Sequence, residues 1–300
     1  MFRPSAEVLN YVITPTGEKL ISFKLTIHRW VLSEFNTHRS FSRNSASSRA
    51  VPVEKMIQLA ETANVCPVEW GKNCSGMSNK EIISEQSILA SVQNEWELAR
   101  HNAIESAKRL NNLNVHKQIV NRILEPFLPH VVIATMDTKS LEHFLFLRNN
   151  ANAQPEIRAL AIEIENEYRK SIPKKLKPFS IYSPFGIHNW KNLNLVAVPY
   201  EEAGVYENKF MYSKPIYRDV ARCARISYLK HEESEDESKD EALFWKLFKN
   251  KHLSPFEHLA LYDPDKNFSR YYGYFEDHDL YKSNFPDCFI QLRKLVELNL

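Results

Sequence analysis

The chain has 300 residues, 43% of them hydrophobic and 25% charged, with a formal net charge of +2. These are ordinary globular values with room for a substantial core, and near-neutrality gives no field for coating nucleic acid or a membrane surface. No apolar run approaches the ~20 residues that span a bilayer, and the amino-terminal residues carry no signal-peptide pattern. The expectation is a cytoplasmic protein without a membrane partner and without direct DNA binding. Four Cys, at 66, 74, 223 and 288, form no CxxC pair, which fits reduced thiols better than a disulfide framework. Six Gly make neither GxGxxG nor GxxxxGK[ST], so a Rossmann turn and a P-loop are excluded. Any bound nucleotide must be held by side chains and helix ends.

In chain order, residues 8–13 and 20–27 read as strands around the turn Thr14-Pro15-Thr16-Gly17. A short helix over 29–36 leads into a polar segment. Residues 78–110 predict the longest helix, with Leu89, Val92, Trp96, Ala99, Ala103, Ala107 and Leu110 on one face. A break at Asn111-Asn112 precedes a helix over 116–124, ended by Pro126. Residues 131–135 suit a buried strand. Ser140 suits the cap of a helix holding Phe144 and Leu147. Pro155 suits the first turn of another, with Ile157, Leu160, Ala161, Ile164 and Tyr168 inward. The run 231–241 is mostly acidic, a solvated loop or helix entry.

The segment 37–49 carries the most chemistry. Its thirteen residues include three Arg (39, 43 and 49), His38, Asn44 and five Ser, with Phe41 as the one large apolar side chain. A core strand would leave too many of these donors in need of partners. Cations and hydroxyls without acids suit an anion: guanidinium forks for a phosphate, with hydroxyls completing the shell. The competing reading is a solvated basic loop.

Matches elsewhere favour the first reading. His38, Arg39, Ser42, Asn44, Ser47 and Arg49 resemble the R-H-R-x-x-S-x-N-E-x-S-x-R-Y signature of flavin-dependent thymidylate synthases, with departures at Thr37, Ser45 and Ala50. Arg122 to Pro126 resembles the family's Arg-then-Leu-Pro helix end. Leu147-Arg148 with Ala153-Gln154-Pro155-Glu156-Ile157 resembles its L-R-x-x-x-x-A-Q-x-E-I helix. Ala221-Arg222 through Ser227-Tyr228, and His252-Leu253-Ser254-Pro255-Phe256-Glu257-His258, resemble its A-R-x-S-[YF] and H-x-[ST]-P-F-E-H segments. In the usual order these last two come first, so the chain reads as a circular permutation, a change tolerated where termini lie close together. Longer permuted forms are typical of phage-encoded members.

The resemblance implies a single catalytic domain over 1–300, of α+β class, with a mixed sheet and long helices. Within it, 51–111 would be an insertion and long helix, 171–215 a connecting segment and 216–262 the permuted segment. The 51–77 stretch is expected to pack over the active site. The implied reaction is reductive methylation of deoxyuridine monophosphate at C5, with FAD, NADPH and 5,10-methylenetetrahydrofolate, in a homotetramer whose sites several subunits share. By position, Glu34, Ser47, Ser48, Arg49, Arg122 and Arg148 would bind substrate, Arg148 and Ser47 serving catalysis. His38, Arg39, Ser42, Asn44, Ser227, His252, Ser254, His143 and Asn152 would contact flavin. His143 replaces a family Asn, Asn152 a family His, and Asp137 and Lys139 stand where Asn and Arg are usual. No metal site is expected: Cys66 and Cys74 lack an adjacent His pair, and the spacing of His252 and His258 does not place both on one helical face. A hydroxymethyl-forming relative and a non-catalytic nucleotide-binding member of the same fold remain as alternatives. Cys223 lies between Arg222 and Arg225, yet reads better as a small buried hydrophobe than as a nucleophile.

Overall fold

The computed structural model describes residues 2–79, 81–189, 193–199, 206–212, 214–230, 236–266, 268 and 280–298. Its first sheet grows from the amino-terminal hairpin. β1 (Ser5–Ile13) and β2 (Lys19–His28) pair antiparallel, and the turn closes by a Gly17 N–H donating to the Thr14 carbonyl at 3.1 Å. Gly17 sits at φ +99°, where a side chain would be strained. A 3-10 turn (Arg29–Val31) and helix α1 (Leu32–Asn36) follow, as expected from 29–36.

The polar segment then departs from expectation. Residues Ser42–Ser45 form β3, a strand on the edge of the sheet, pairing with the central β4 (Pro129–Asp137). A strand was disfavoured there because its polar side chains need partners, and the partners come from far along the chain. The sheet order is β3-β4-β2-β1-β5, the two-residue β5 (Lys174–Lys175) lying parallel to β1. A short edge carrying exposed lysines resists pairing with other chains.

Alternation sorts this sheet into two faces. Ile21, Phe23, Leu25 and Ile27 of β2, with Val132, Ala134 and Met136 of β4, bury one face. The covering helices are α5 (Thr138–Arg148) and α6 (Pro155–Lys170), packed through Leu141, Phe144, Ile157, Leu160, Ala161 and Ile164. The opposite face meets a second sheet. That sheet holds β6 (Ser180–Ser183) and β7 (Gly186–Asn189), a separate ribbon of β8 (Leu193–Pro199) and β9 (Tyr206–Tyr212) follows in the chain, and β10 (Ala260–Tyr262) and β11 (Phe289–Gln291) complete the order β11-β10-β6-β7. Val12, Leu20, Tyr182, Tyr262 and Phe289 fill the space between the sheets.

The remaining helices form two groups. α2 (Val53–Thr62), α3 (Gln86–Asn112) and α4 (Lys117–Leu124) share a core of Val53, Met56, Ala60, Ile104, Ala107, Val120 and Leu124. α7 (Lys214–Arg225), α8 (Glu237–Lys249) and α9 (Leu292–Leu298) pack on the second sheet through Ile216, Val220, Phe244, Phe256 and Leu295. The α+β class with a mixed sheet and long helices is the one expected.

Two local expectations are corrected. The long helix starts at Gln86 rather than at 78, because residues near 82 pair in extended form with the 70–72 stretch: Ile83 N–H donates to the Trp70 carbonyl and Lys72 N–H to the Glu81 carbonyl, both at 2.8 Å. Its apolar face is buried only at Ile104 and Ala107, and Ala99 is exposed. The cap of α5 is Asp137, accepting from the Ser140 N–H at 2.7 Å; a carboxylate at a helix N-terminus gains from the dipole as a hydroxyl does not. Of the acidic run, residues 231–235 lie outside the described residues, and α8 begins just after, capped by Asp236. Among the described residues no helix is long and apolar enough to cross a membrane.

Candidate functional site

β3 positions the site, because its residues alternate between the two layers. Ser42 opposes Thr135 and Asn44 opposes Ile133 on β4, while Thr135 opposes Ser22 on β2. Opposed residues share a face, so Ser42, Thr135 and Ser22 make a hydroxyl row looking into the second layer. That layer answers with polar side chains. Gln291 Nε2 donates to Ser42 Oγ at 3.1 Å and to the Glu257 carbonyl at 3.0 Å. The Asn44 amide, with its nitrogen facing the acceptors, donates to His258 Nε2 at 3.1 Å and to the carbonyls of Ser254 and Arg43 at 3.0 and 3.1 Å. His258 is fully buried, and its unprotonated Nε2 leaves the ring proton on Nδ1, 2.8 Å from Thr135 Oγ1. Thr135 and Ser22 hydroxyls are 2.6 Å apart, and the Tyr182 hydroxyl lies 2.7 Å from Ser22 Oγ. Burial pushes His258 down to about 3, so it stays neutral in this chain of contacts.

Past β3 the backbone is tied to the carboxy-terminal segments. Ser47 N–H donates to the Ser227 carbonyl at 3.1 Å, and Ser227 Oγ to the Ser45 carbonyl at 3.3 Å. Where this loop meets the end of α7, α8 and the 3-10 turn Ser254–His258, a cleft of ≈ 270 Å³ opens. Asn44, Ser47, Arg49, Ser227, Lys246, Asn250 and His252 supply its polar lining, with Tyr228, Leu243 and Leu247 among its apolar wall. No acid is among its described lining residues. Cations and hydroxyls without a carboxylate suit an anion. A larger cleft of ≈ 560 Å³ lies between Cys66, Trp70, Trp96 and Arg100, but Glu61 and Glu97 also line it, and none of the residues assigned by resemblance reach it.

The other end of β3 holds a second cluster. Arg148 Nε donates to His38 Nε2 at 3.0 Å and its Nη2 to Thr37 Oγ1 at 3.3 Å. A guanidinium only donates, so this geometry requires neutral His38. Burial first, then the charges of Arg148, His143 and Arg43, bring His38 down to about 4. The ring stacks on Phe41 at 5.7 Å and meets Phe144 edge-on at 4.8 Å, which fixes its orientation. Arg43 turns to this side and donates to the His38 carbonyl at 2.5 Å.

A third cluster sits behind the loop. Asn121 Nδ2, on fully buried Asn121, donates to the Ser48 and Val51 carbonyls at 2.6 and 3.0 Å, and Lys117 Nζ to the Ala50 carbonyl at 2.9 Å. Glu125 Oε1 accepts from Ser48 Oγ at 2.5 Å and from Arg122 Nη1 at 2.8 Å. Its Oε2 lies 3.5 Å from Arg29 Nη2. α2 reaches this side, where Met56 and Leu59 line a cavity of ≈ 20 Å³ with Ser47 and Ser48. The insertion's later residues do not line the cleft beside Arg49.

The residues assigned by resemblance therefore divide. Asn44, Ser47, Arg49, Ser227 and His252 converge on the cleft, with Ser254 Oγ 3.4 Å from the Asn44 amide. His38, Arg148 and exposed His143 gather at the opposite end of β3, and Ser48 and Arg122 meet at Glu125. Ser42 is buried on the sheet rather than open to a ligand. Arg39 is exposed, its carbonyl accepting from Asn284 Nδ2 at 3.3 Å. Glu34, on α1, accepts from Ser33 Oγ at 2.7 Å. Asn152 is exposed, its carbonyl accepting from Ser78 Oγ at 3.0 Å. Sequence reading missed Lys246 and Asn121, which no local pattern marks, and Glu125, which the i,i+3 spacing from Arg122 did mark. Cys223 is fully buried and its thiol pushed well up by burial, so it stays protonated and inert.

The sequence model of a family described as "Thymidylate synthase complementing protein" matches residues 14–174, a span that ends before the Ser227 and His252 segments. No curated protein matches the chain. Among solved structures, a UMP/dUMP methylase, PolB, from Streptomyces cacaoi bound with 5-Br dUMP is 16% identical, covers 57% of this chain and 91% of its own, and gives a TM-score of 0.47. The same protein bound with 5-Br UMP is 16% identical over 57% of this chain and 90% of its own, with a TM-score of 0.44.

Proposed function

The chain belongs to the thymidylate synthase complementing family, and from that premise we propose that it is a flavin-dependent enzyme transferring one carbon to C5 of deoxyuridine monophosphate. NADPH and 5,10-methylenetetrahydrofolate serve as reductant and carbon donor. The observation that carries this reading is the acid-free cleft in which Arg49, Lys246, Ser47 and Ser227 converge. Arg49 and Lys246 neutralise an anionic group, and Ser47 donates a hydroxyl. Ser48 and Arg122 extend the same phosphate site. The 216–262 segment, read as the permuted part of the family pattern, supplies Ser227, Lys246 and His252 to it.

Arg148 supplies the pyrimidine contact. Uracil C5 is a poor nucleophile, so the ring must be polarised and fixed against its partner. Neutral His38 accepts from Arg148 Nε without cancelling its charge, which leaves the guanidinium able to polarise a carbonyl. Bound FAD supplies the redox chemistry that the protein lacks. The cleft suits part of that group: amide and hydroxyl edges on one side, Leu243, Leu247 and Tyr228 on the other, with no glycine cradle. At ≈ 270 Å³ it falls below the ~300–1,000 Å³ of sites that enclose a whole drug-sized ligand. Arg148 and Arg49 also flank a four-residue strand, about 13 Å long at ~3.3 Å per residue. Both facts favour an assembly, a homotetramer by resemblance, in which one copy's Arg148 end completes another's Arg49 cleft.

Titration with FAD tests the reading. Saturable binding, seen as a change in isoalloxazine fluorescence and competed by free adenine nucleotide, is expected. A protein that takes up no flavin at any concentration would contradict it.

A further inference from the structure

We propose that Glu125 is an internal stand-in for the substrate phosphate, occupying the Ser48–Arg122 subsite and lowering nucleotide affinity until a phosphate displaces it. The proposal rests on the assignment of Ser48 and Arg122 to the nucleotide phosphate.

The geometry is that of an oxyanion already bound. Ser48 Oγ and Arg122 Nη1 come from segments 74 positions apart in the chain, yet both donate to one oxygen, Glu125 Oε1, at 2.5 and 2.8 Å. Arg29 approaches the second oxygen at 3.5 Å. A hydroxyl and a guanidinium converging on one oxygen, with a second cation on the next, is how a phosphate is held. The carboxylate fills the place: the cavity left beside it, ≈ 20 Å³, has room for about one water and none for a phosphate.

Which partner moves is also legible. The Ser48 backbone is fixed by buried Asn121 and the adjacent Ala50 by Lys117, so the loop is held in place. Glu125 sits in the 3-10 turn Glu125–Phe127 after α4, and its side chain is 19% exposed, so a rotamer change takes it to solvent without moving the backbone. Arg122, at 55% exposed, is likewise free to follow an incoming anion. A closed fraction of the site lowers apparent affinity in proportion.

Calorimetric titration with deoxyuridine monophosphate and with deoxyuridine, on the intact chain and on Glu125→Gln, Glu125→Asp and Arg122→Ala, separates the cases. Gln removes the charge at constant shape, and Asp withdraws the carboxylate from Ser48. Either alone decides the point where circular dichroism shows the other misfolded. The expected result is tighter monophosphate binding by about tenfold in the Glu125 variants, unchanged deoxyuridine binding, and weaker monophosphate binding in Arg122→Ala. Weaker or unchanged monophosphate binding in the Glu125 variants, with Arg122→Ala still impaired, would show that Glu125 only positions Arg122 and overturn the proposal. Equal tightening of deoxyuridine would overturn it too. Normal monophosphate binding in Arg122→Ala would instead remove the phosphate assignment on which it stands.

Discussion

Two clusters that flank β3, one before it and one behind the loop that follows it, balance their cations in opposite ways. Behind the loop, Arg122 and Arg29 face Glu125, apart from the acid-free cleft of Arg49 and Lys246. In the cluster before the strand, Arg148 donates to a neutral imidazole and a hydroxyl, and Arg43 to a carbonyl. Neither makes an ion pair among the described residues. A guanidinium held by neutral acceptors keeps its full charge for a ligand, whereas one held by a carboxylate is largely spent until that carboxylate leaves. On the proposed reading, the Arg148 cluster polarises and the Glu125 cluster exchanges one anion for another.

The largest expected effect comes from removing what holds the strand between them. His258 holds Asn44 and Thr135 together behind the strand, and His258→Leu takes one partner from a buried amide and one from a buried hydroxyl. The Asn44 amide keeps the Ser254 and Arg43 carbonyls and Thr135 keeps Ser22. The loss is therefore that of two hydrogen bonds at about 0.5–1.5 kcal/mol each, and urea unfolding should show a loss of roughly 1–3 kcal/mol. A variant as stable as the parent would show that the buried row does not hold the strand. Next come the arginines themselves. Arg148→Ala is expected to lower kcat about 10–100-fold, and Arg49→Ala to raise KM for the nucleotide by a similar factor, the worth of one charge-assisted contact. Equal effects on both constants in both variants would erase the distinction between the two sides of the strand.

Acid should sharpen the comparison further. His38 and His258 titrate near 4 and 3 in the folded chain, against about 6.5 when unfolded. Between those limits the unfolded chain binds more protons, so stability rises with pH up to about 6.5 and falls below it. Each histidine contributes a slope of up to about 1.4 kcal/mol per pH unit. Flat stability between pH 4 and 6.5, measured by denaturant midpoints, would contradict the neutral assignments. The smallest effect is expected at Cys223→Ala, about 1 kcal/mol of stability with unchanged turnover; a loss of turnover would make the thiol a participant.

Much of the fold was legible where period and burial agree. Residues 20–27 alternate cleanly, and Pro155 opens a helix whose inward apolar residues are those its spacing marked, with buried Glu156 beside them. β3 was not legible, because Ser42 and Asn44 are tolerated in a strand only through Gln291, Ser254 and His258, more than 200 positions away. The Gln86 start of α3 was hidden for a related reason, since pairing with the 70–72 stretch outbids helix propensity in the residues before it. Composition marked the cations of the site, but not their counter-charges. The i,i+3 spacing marks Glu125 as a partner of Arg122, but that Ser48 shares the same oxygen depends on how a loop and a helix end meet, which no local pattern encodes.

The central claim is tested most directly by the product. Incubation with FAD, NADPH, 5,10-methylenetetrahydrofolate and deoxyuridine monophosphate, followed by mass spectrometry of the nucleotide, should show the gain of one methylene unit at C5, dependent on flavin. A gain that also includes an oxygen would assign hydroxymethyl transfer instead, and an unchanged nucleotide from flavin-loaded protein would contradict one-carbon transfer altogether.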